Sequence, residues 1–494
     1  MKKWIFLILL FWILFSTQNA NAQFVDIQET KVIAQNWIQM KIDKYGDWGG
    51  SKTATAGEMQ ELRYFGKLVG YYCKVRPRGY IVVSLRHELA AVKVYSDRRD
   101  IDFSQDEGMP DLIKYQLFRI IKSIESKAGP IQSADDNQVE NLLEFSYKSS
   151  WTTLESYAPG SFSGTRITKQ NYQESDSLVD THWQQRVPYN SFCPFPGDDL
   201  CSTTSNGRTL VGCVAIAGAQ LMKYWNWPPY GESGIYADPY EWALMGDYVT
   251  TSFPIEEQYA VAELCFEVGQ AVGMNYGCDE SSASSSSMEG ALESIFRYNH
   301  NCNTINRTDY TADEWFNLIM IQINDNRPIL YYIERIGEPV GHAIVCDGWQ
   351  IIEPFRMYHM NFGWDNNATA FYTIDNISDY DWSLDYMTLD IVPDYAVGTQ
   401  MTGTYDRTSL AHRYFDQDTQ GSLATFSPGQ SLQILPELTI TGTGTNSNIR
   451  IEGINGLSTQ IFTDGNPDNG IHIYNGAIQL RNGGSIKLKE IEDE

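Results

Sequence analysis

The chain has 494 residues, with 36 Lys+Arg against 62 Asp+Glu and a formal net charge of −26. Apolar residues make up 42% and charged residues 20%, a balance that builds a core and argues against wholesale disorder. At about 150 residues per domain, the length predicts roughly three domains. The acidity, with no long Lys/Arg cluster to offset it, argues against a nucleic-acid binder, which presents a concentrated positive face.

Lys2 and Lys3 precede an apolar run over 5–15 and the small-residue triplet Ala20-Asn21-Ala22. This pattern predicts a cleavable signal peptide over 1–22. The alternative, an uncleaved anchor, would need about 20 apolar residues to span a bilayer. No Cys stands at the cleavage point to carry a lipid, and no later stretch is long and apolar enough for a membrane helix. The expectation is an exported soluble protein, secreted or periplasmic, that begins near Gln23. Up to about residue 160, helix-like segments at 32–42 and 111–126 flank strand-like runs such as 80–84. A polar passage, 146–174, contains Pro159, Gly160 and Gly164; it reads as an exposed linker that proteases can reach. Most of the dense motifs fall in 175–395.

From about 400 to 494 apolar residues recur at period two: Leu438 and Ile440, Ile449 and Ile451, Ile471 and Ile473, Ile478 and Leu480, Ile486 and Leu488. Gly/Asn/Asp turns interrupt them, which predicts a small all-β module, with spacing too irregular for a repeat. Export permits disulfides. Of the eight cysteines, Cys193 and Cys201 share a Pro/Gly/Asp-rich loop, where they either pair or remain free thiols. Zinc is disfavoured, since there is no C-x-x-C and only His182 lies near that pair.

In the segment 212–225, Val214, Ala217, Leu221 and Trp225 fall at helical spacing, so a buried helix is expected with Cys213 at its N-terminus. Free N–H groups and the positive dipole end there would favour a thiolate. Alone, such a Cys also suits a small core site. His342 follows about 130 residues later, the separation of papain-like Cys/His pairs, at the start of a strand-like run that continues to Trp349. A base beside a thiol makes a nucleophilic ion pair. Asn361-Phe362-Gly363-Trp364 supplies an amide that would hold the imidazole's other nitrogen, with aromatic rings shielding that bond; the alternative for Asn361 is a turn amide beside a glycine. His359 is a rival base on paper and reads as a strand residue.

These residues resemble the streptopain family of secreted bacterial cysteine peptidases, within the papain-like superfamily. The resemblance is strongest over about 180–395. It rests on four ordered motifs: Gln185 with Pro188-Tyr189-Asn190; Gly212-Cys213-Val214-Ala215 with Ala219-Gln220 and Met222-Lys223-Tyr224; Met274-Asn275-Tyr276-Gly277 running through a serine-rich stretch into a helix at Met288; and Gly341-His342-Ala343 with Asp347-Gly348. Phe362 stands where the family usually has Trp, and Asp365-Asn366 where it has Gly-Gly; these departures bear on substrate preference and turnover.

The resemblance implies an α+β fold: a papain-like catalytic domain, with a helical part carrying the nucleophile and an antiparallel β part carrying the His. An α+β propeptide precedes it and a small all-β module follows. The implied layout is a signal peptide at 1–22, an inhibitory propeptide at 23–169, the peptidase at 170–397 and a β-rich module at 398–494. Maturation is expected near Lys169-Gln170 or Arg166, and the alternative is a permanent N-terminal domain. The implied roles are Cys213 as nucleophile, His342 as acid and base, Asn361 as its orienter and Gln185 as oxyanion donor. Trp364, Phe362, Gly341, Tyr276 and Ser284 would shape the substrate cleft. Expected partners are protein or peptide substrates and the chain's own propeptide, with no cofactor, metal, nucleic acid or membrane span. The rival readings are a Cys-His amidase or transglutaminase-like enzyme, and an adhesion or binding protein on an inactive peptidase scaffold.

Overall fold

A computed structural model describes residues 24–105, 108–144, 146–161, 177–197, 200–228, 230–236, 240–284, 286–334, 341–352, 355–364, 369–373 and 385–394, with the backbone of strands between 400 and 481. The expected signal peptide, the Arg166 and Lys169-Gln170 maturation points, Asp365-Asn366, Ile486 and Leu488 lie outside the described residues. The chain divides into two compact units. One takes in 1–166 with 352–355 and 372–381, and the other takes in the remainder. Both mix helix and sheet, so the fold is α+β.

In the first unit, α1 (Ile27–Tyr45) starts at Asp26, whose carboxylate accepts from the N–H groups of Gln28 and Glu29. It stops at Gly46, which takes the left-handed conformation (φ +97°) and donates its N–H to the Ile42 carbonyl. The helix is longer than the 32–42 expected, because cap residues extend it beyond its apolar stripe. Strands β1 (Thr55–Tyr64), β2 (Lys67–Arg76), β3 (Tyr80–Val83) and β4 (Val92–Ser96) pair in that order, all antiparallel. The β1–β2 hairpin turns on Phe65 and Gly66, both with positive φ, as a two-residue primed turn requires. Helices α2 (Gly108–Ala128), α3 (Asp136–Glu140) and α4 (Lys148–Glu155) complete the unit.

Its core gathers the buried rings of Trp37, Trp48, Tyr80 and Tyr95. It also buries Arg86, whose guanidinium satisfies every donor through Glu88, Asp136 and the carbonyls of Ile131 and Ala134. Helix α4 corrects the reading of 146–174 as linker throughout. Trp151 and Leu154 bury themselves from it, and the Trp151 indole donates to the Leu89 carbonyl. With Tyr147, also buried just ahead of the helix, these apolar anchors fold the start of an otherwise polar passage.

The second unit contains α5 (Cys213–Trp225), α6 (Ile255–Ala271), α7 (Ser287–Ser294) and α8 (Ala312–Asn324). Its strands are β5 (Asn303–Asn306), β6 (Ile329–Glu334), β7 (Gly341–Ile352), β8 (Phe355–Asn361), β9 (Thr369–Tyr372) and β10 (Tyr386–Leu389), in the order β9-β8-β7-β6-β10-β5. The pairs β6–β7, β6–β10 and β5–β10 are antiparallel. Helix α5 is buried on nearly every side, Val214 to Met222 without a break, which its run of small and apolar residues permits. Asn226 ends it in the left-handed conformation.

Further along, β11 (Gln400–Arg407), β12 (Leu423–Phe426), β13 (Ser431–Gly442), β14 (Ser447–Glu452), β15 (Gln460–Thr463), β16 (Ile471–Tyr474) and β17 (Gly476–Arg481) form two sheets. Every pair in them is parallel. The alternating residues pair with one another: Leu438 with Ile471, Ile440 with Ile473, Ile449 with Ile478 and Ile451 with Leu480. Among the described residues, no helix is long and apolar enough to cross a membrane.

Candidate active site

Cys213 opens α5. Gly212 precedes it at φ +94°, and a Cβ there would lie 2.6 Å from the Met274 thioether. Only glycine brings the chain into the helix at this angle and this closeness. The approach is held to the loop 274–284: the Leu210 N–H donates to the Gly277 carbonyl at 3.0 Å, and the Ser281 hydroxyl donates to the Leu210 carbonyl at 2.7 Å. A disulfide between Cys201 and Cys278 ties the same two loops. This corrects the Cys193–Cys201 option: Cys193 is a buried free thiol, pushed up to about 12 by burial. Of the six free cysteines, Cys213 is the one that is not fully buried.

His342 is the second residue of β7 and pairs across to Ile333 of β6. The N–H of the next residue, Ala343, donates to the Cys213 sulfur at 3.5 Å, which sets the thiol against the His342 strand. The His342 Nε2 lies 3.1 Å from the Phe362 carbonyl oxygen. A carbonyl only accepts, so Nε2 carries a proton, and whenever the ring is neutral its lone pair lies on Nδ1. The Trp364 indole stacks on the imidazole at 4.0 Å between centroids, and the Phe362 ring lies nearly parallel to it at 5.8 Å. Two of the three predicted cleft aromatics, Trp364 and Phe362, thus lie over the histidine.

Burial pushes the Cys213 thiol above its ordinary value, and the charge of Glu280 acts in the same direction; the N–H groups of Ala343, Val214 and Cys213 itself pull it down. The amides at the helix end favour the thiolate as expected, and desolvation outweighs them. Ionisation near neutral pH needs a base to take the proton.

Asn361 is buried, and its amide does not reach the imidazole. Its Nδ2 donates to the Thr181 carbonyl at 2.7 Å and to Gln220 Oε1 at 3.3 Å, while its oxygen accepts from the Gly363 N–H at 3.1 Å. It shapes the turn whose Phe362 carbonyl meets His342. Gly363 has φ +65°, and a Cβ on it would lie 2.5 Å from Ile216 Cγ2 of α5. The Gln185 carbonyl accepts from the Val211 N–H at 3.1 Å, so its main chain is pinned two residues upstream of Cys213.

The other predicted cleft residues are less closely gathered. Gly341 begins β7 opposite Glu334. Tyr276 packs on α6, its ring stacked on Phe266 and its hydroxyl donating to the Phe266 carbonyl at 3.3 Å. Ser284 is exposed and its hydroxyl contacts that of Ser286. His359, on β8, is buried with Nδ1 at 2.6 Å from Asp347 Oδ1. Sequence reasoning missed both this pair and the convergence of Thr181, Trp183 and Asn361 on Gln220. A buried glutamine amid Val-Ala-Ile-Ala-Gly-Ala was the available signal for the second. Among the described residues, the group with metal-ligating side chains is Glu29, His87 and Glu155 of the first unit; there His87 and Glu29 already hydrogen-bond each other directly.

Residues 183–372 match the model of the Peptidase C10 family. Streptopain of Streptococcus pyogenes is 29% identical over 371 residues, covering 67% of this chain and 80% of that protein. The thiol protease/hemagglutinin PrtT of Porphyromonas gingivalis is 30% identical over 214 residues, covering 40% of this chain and 23% of that one. Among solved structures, a fragment of Prevotella intermedia prointerpain A superposes with a TM-score of 0.50 at 20% identity, covering 69% of this chain and 100% of the fragment. That last likeness speaks to the fold alone.

Proposed function

Since this chain is a cysteine-type peptidase of the streptopain family, we propose that it is a secreted endopeptidase made as a self-inhibited zymogen, with Cys213 as nucleophile and His342 as general acid and base. The observation that carries this reading is the Ala343 N–H bond to the Cys213 sulfur. It joins the one free thiol that is not fully buried to the strand that carries His342.

In this reading His342 Nδ1 takes the thiol proton, which offsets the cost of ionising a partly buried sulfur. The thiolate forms a bond to the peptide carbonyl carbon, and the carbonyl π electrons move onto oxygen. The Gln185 side chain and the Cys213 N–H receive that oxyanion. As the carbon–nitrogen bond breaks, the imidazolium gives its proton to the departing amine. Water then attacks the thioester while His342 takes its proton; the acid product leaves and the thiol is restored. The Phe362 carbonyl holds Nε2–H throughout, and Asn361 supports that carbonyl through its turn. No metal or cofactor enters these steps.

Residues 1–22 act as the signal peptide, 23–169 as the inhibitory propeptide, 170–397 as the papain-like peptidase and 398–494 as a separate β-rich module. A time course of intact mass tests this, using secreted wild-type and Cys213→Ala chains with casein present and an alkylated control. The wild type should trim itself within about 160–175 and degrade casein, while the variant and the control do neither. Casein cleavage by Cys213→Ala overturns the nucleophile, and a final chain beginning at Gln23 overturns the propeptide.

A further inference from the structure

We propose that Gln220 is the positioning residue that holds the Gln185 segment and the Asn361–Gly363 turn in register with the Cys213 helix. This rests on the reading of Cys213, His342 and Gln185 given above. Gln220 lies two helical turns beyond Cys213 on α5 and is fully buried. Its Oε1 accepts from three groups: the Thr181 hydroxyl at 3.0 Å, the Trp183 N–H at 3.3 Å and Asn361 Nδ2 at 3.3 Å. The Trp183 and Asn361 groups can only donate, so the atom facing them is the oxygen, and the orientation of the carboxamide is determined.

Each partner leads to a different part of the reaction. Thr181 and Trp183 belong to the segment that carries Gln185, two residues past Trp183. Trp183 is itself buried and fixed by its indole bond to the Gly246 carbonyl at 2.9 Å. With the Gln185 carbonyl bonded to the Val211 N–H, that segment is anchored at 181, 183 and 185. Asn361 leads the other way. It bonds the Thr181 carbonyl and the Gly363 N–H, and between them stands Phe362, whose carbonyl meets His342. A Cβ on Gly363 would lie 3.6 Å from Gln220 Nε2 and 2.5 Å from Ile216, so this turn lies directly on α5. One carboxamide oxygen therefore ties the oxyanion donor's segment and the imidazole's turn to the helix that presents the sulfur.

The geometry assigns the effect to the acceptor oxygen, which separates positioning from simple packing. Gln220→Met keeps the length and apolar bulk but removes the acceptor, whereas Gln220→Glu keeps an acceptor oxygen at that site. The full-length chain is incubated until its mass stops changing, and active enzyme is counted by alkylation of Cys213. Removing an oxyanion donor costs about 10²–10³ in kcat, so misplacing one through Gln220→Met should lower kcat about 10–100-fold, with KM moving less than about threefold. Gln220→Glu should recover at least half of that loss on a logarithmic scale. In a Gln185→Ala background, Gln220→Met should cost clearly less than in the wild type, because its main route of action is already gone.

A wild-type kcat for Gln220→Met, full multiplicativity with Gln185→Ala, or equal losses for the Met and Glu variants would each overturn the proposal. Should Gln220→Met fail to fold, Thr181→Val removes one of the three bonds. It should lower kcat about two- to fivefold, again less in the Gln185→Ala background; an unchanged kcat overturns the proposal. Cys213→Ala in the same assay keeps the two readings apart. Cleavage by that variant defeats the nucleophile assignment itself, while an inactive Cys213→Ala beside an unaffected Gln220→Met defeats only the positioning role.

Discussion

His342 and His359 stand on β7 and β8, adjacent strands of one sheet, and each has an aromatic neighbour, yet their surroundings differ in kind. His359 is buried, its Nδ1 bonded to Asp347 at 2.6 Å and its ring edge-on to Phe371. The other Asp347 oxygen accepts the Val179 N–H, so that pair is spent on fastening the segment ahead of Gln185 to the sheet. The contacts described for His342 are of another kind. A backbone carbonyl holds one nitrogen, indole and phenyl rings cover a face, and the neighbouring N–H contacts a thiol. A histidine bonded to a buried carboxylate is a structural ion pair or hydrogen bond. One oriented by a neutral carbonyl beside a sulfur is placed to exchange a proton.

Substitutions on each side can break this contrast. The largest effect is expected from His342→Ala, which should lower kcat/KM for a peptide substrate by about 10²–10⁴ while thermal unfolding stays near wild type. His359→Ala should do the reverse. It leaves the Asp347 carboxylate buried without its partner, which costs about 3–5 kcal/mol of stability in denaturant titration, with activity per folded molecule retained. Gly363→Ala comes next: the left-handed backbone and the close approach to Ile216 should cost about 1–3 kcal/mol, with a fall in kcat as the Phe362 carbonyl moves. Trp364→Ala is the smallest. Losing one stacked ring is worth about 0.5–1.5 kcal/mol, which would appear as a loss of about two- to tenfold in kcat/KM.

Much of this contrast was legible in the residues and part of it was not. The buried helix behind Cys213 followed from apolar spacing, and the strand of His342 from its β-branched run, because both signals are local. Asn361 illustrates the limit. Its amide was expected on the imidazole, but Gly363 turns the chain so that the intervening carbonyl of Phe362 makes that contact and the amide fastens the turn instead. Side-chain identity does not report which of two neighbouring groups a turn will present. Cysteine pairing stayed open for a similar reason: Cys201 reaches Cys278, 77 residues away, and short separation does not determine connectivity. In the 400–494 region, period-two alternation marked the strands, but it is silent on partner direction, and the pairing is parallel.

The central claim is that Cys213 becomes a thiolate near neutral pH only by passing its proton to His342. The pH dependence of iodoacetamide alkylation tests this directly, read by mass at Cys213 in the wild type, His342→Ala and His359→Ala. Burial raises the thiol on its own, so removing its base should move the alkylation limb upward in pH. The wild type and His359→Ala should react well below the ordinary thiol range of about 8.5, and His342→Ala only above it. Neutral-pH alkylation of His342→Ala at the wild-type rate, or an upward shift of the limb in His359→Ala instead, would contradict the account.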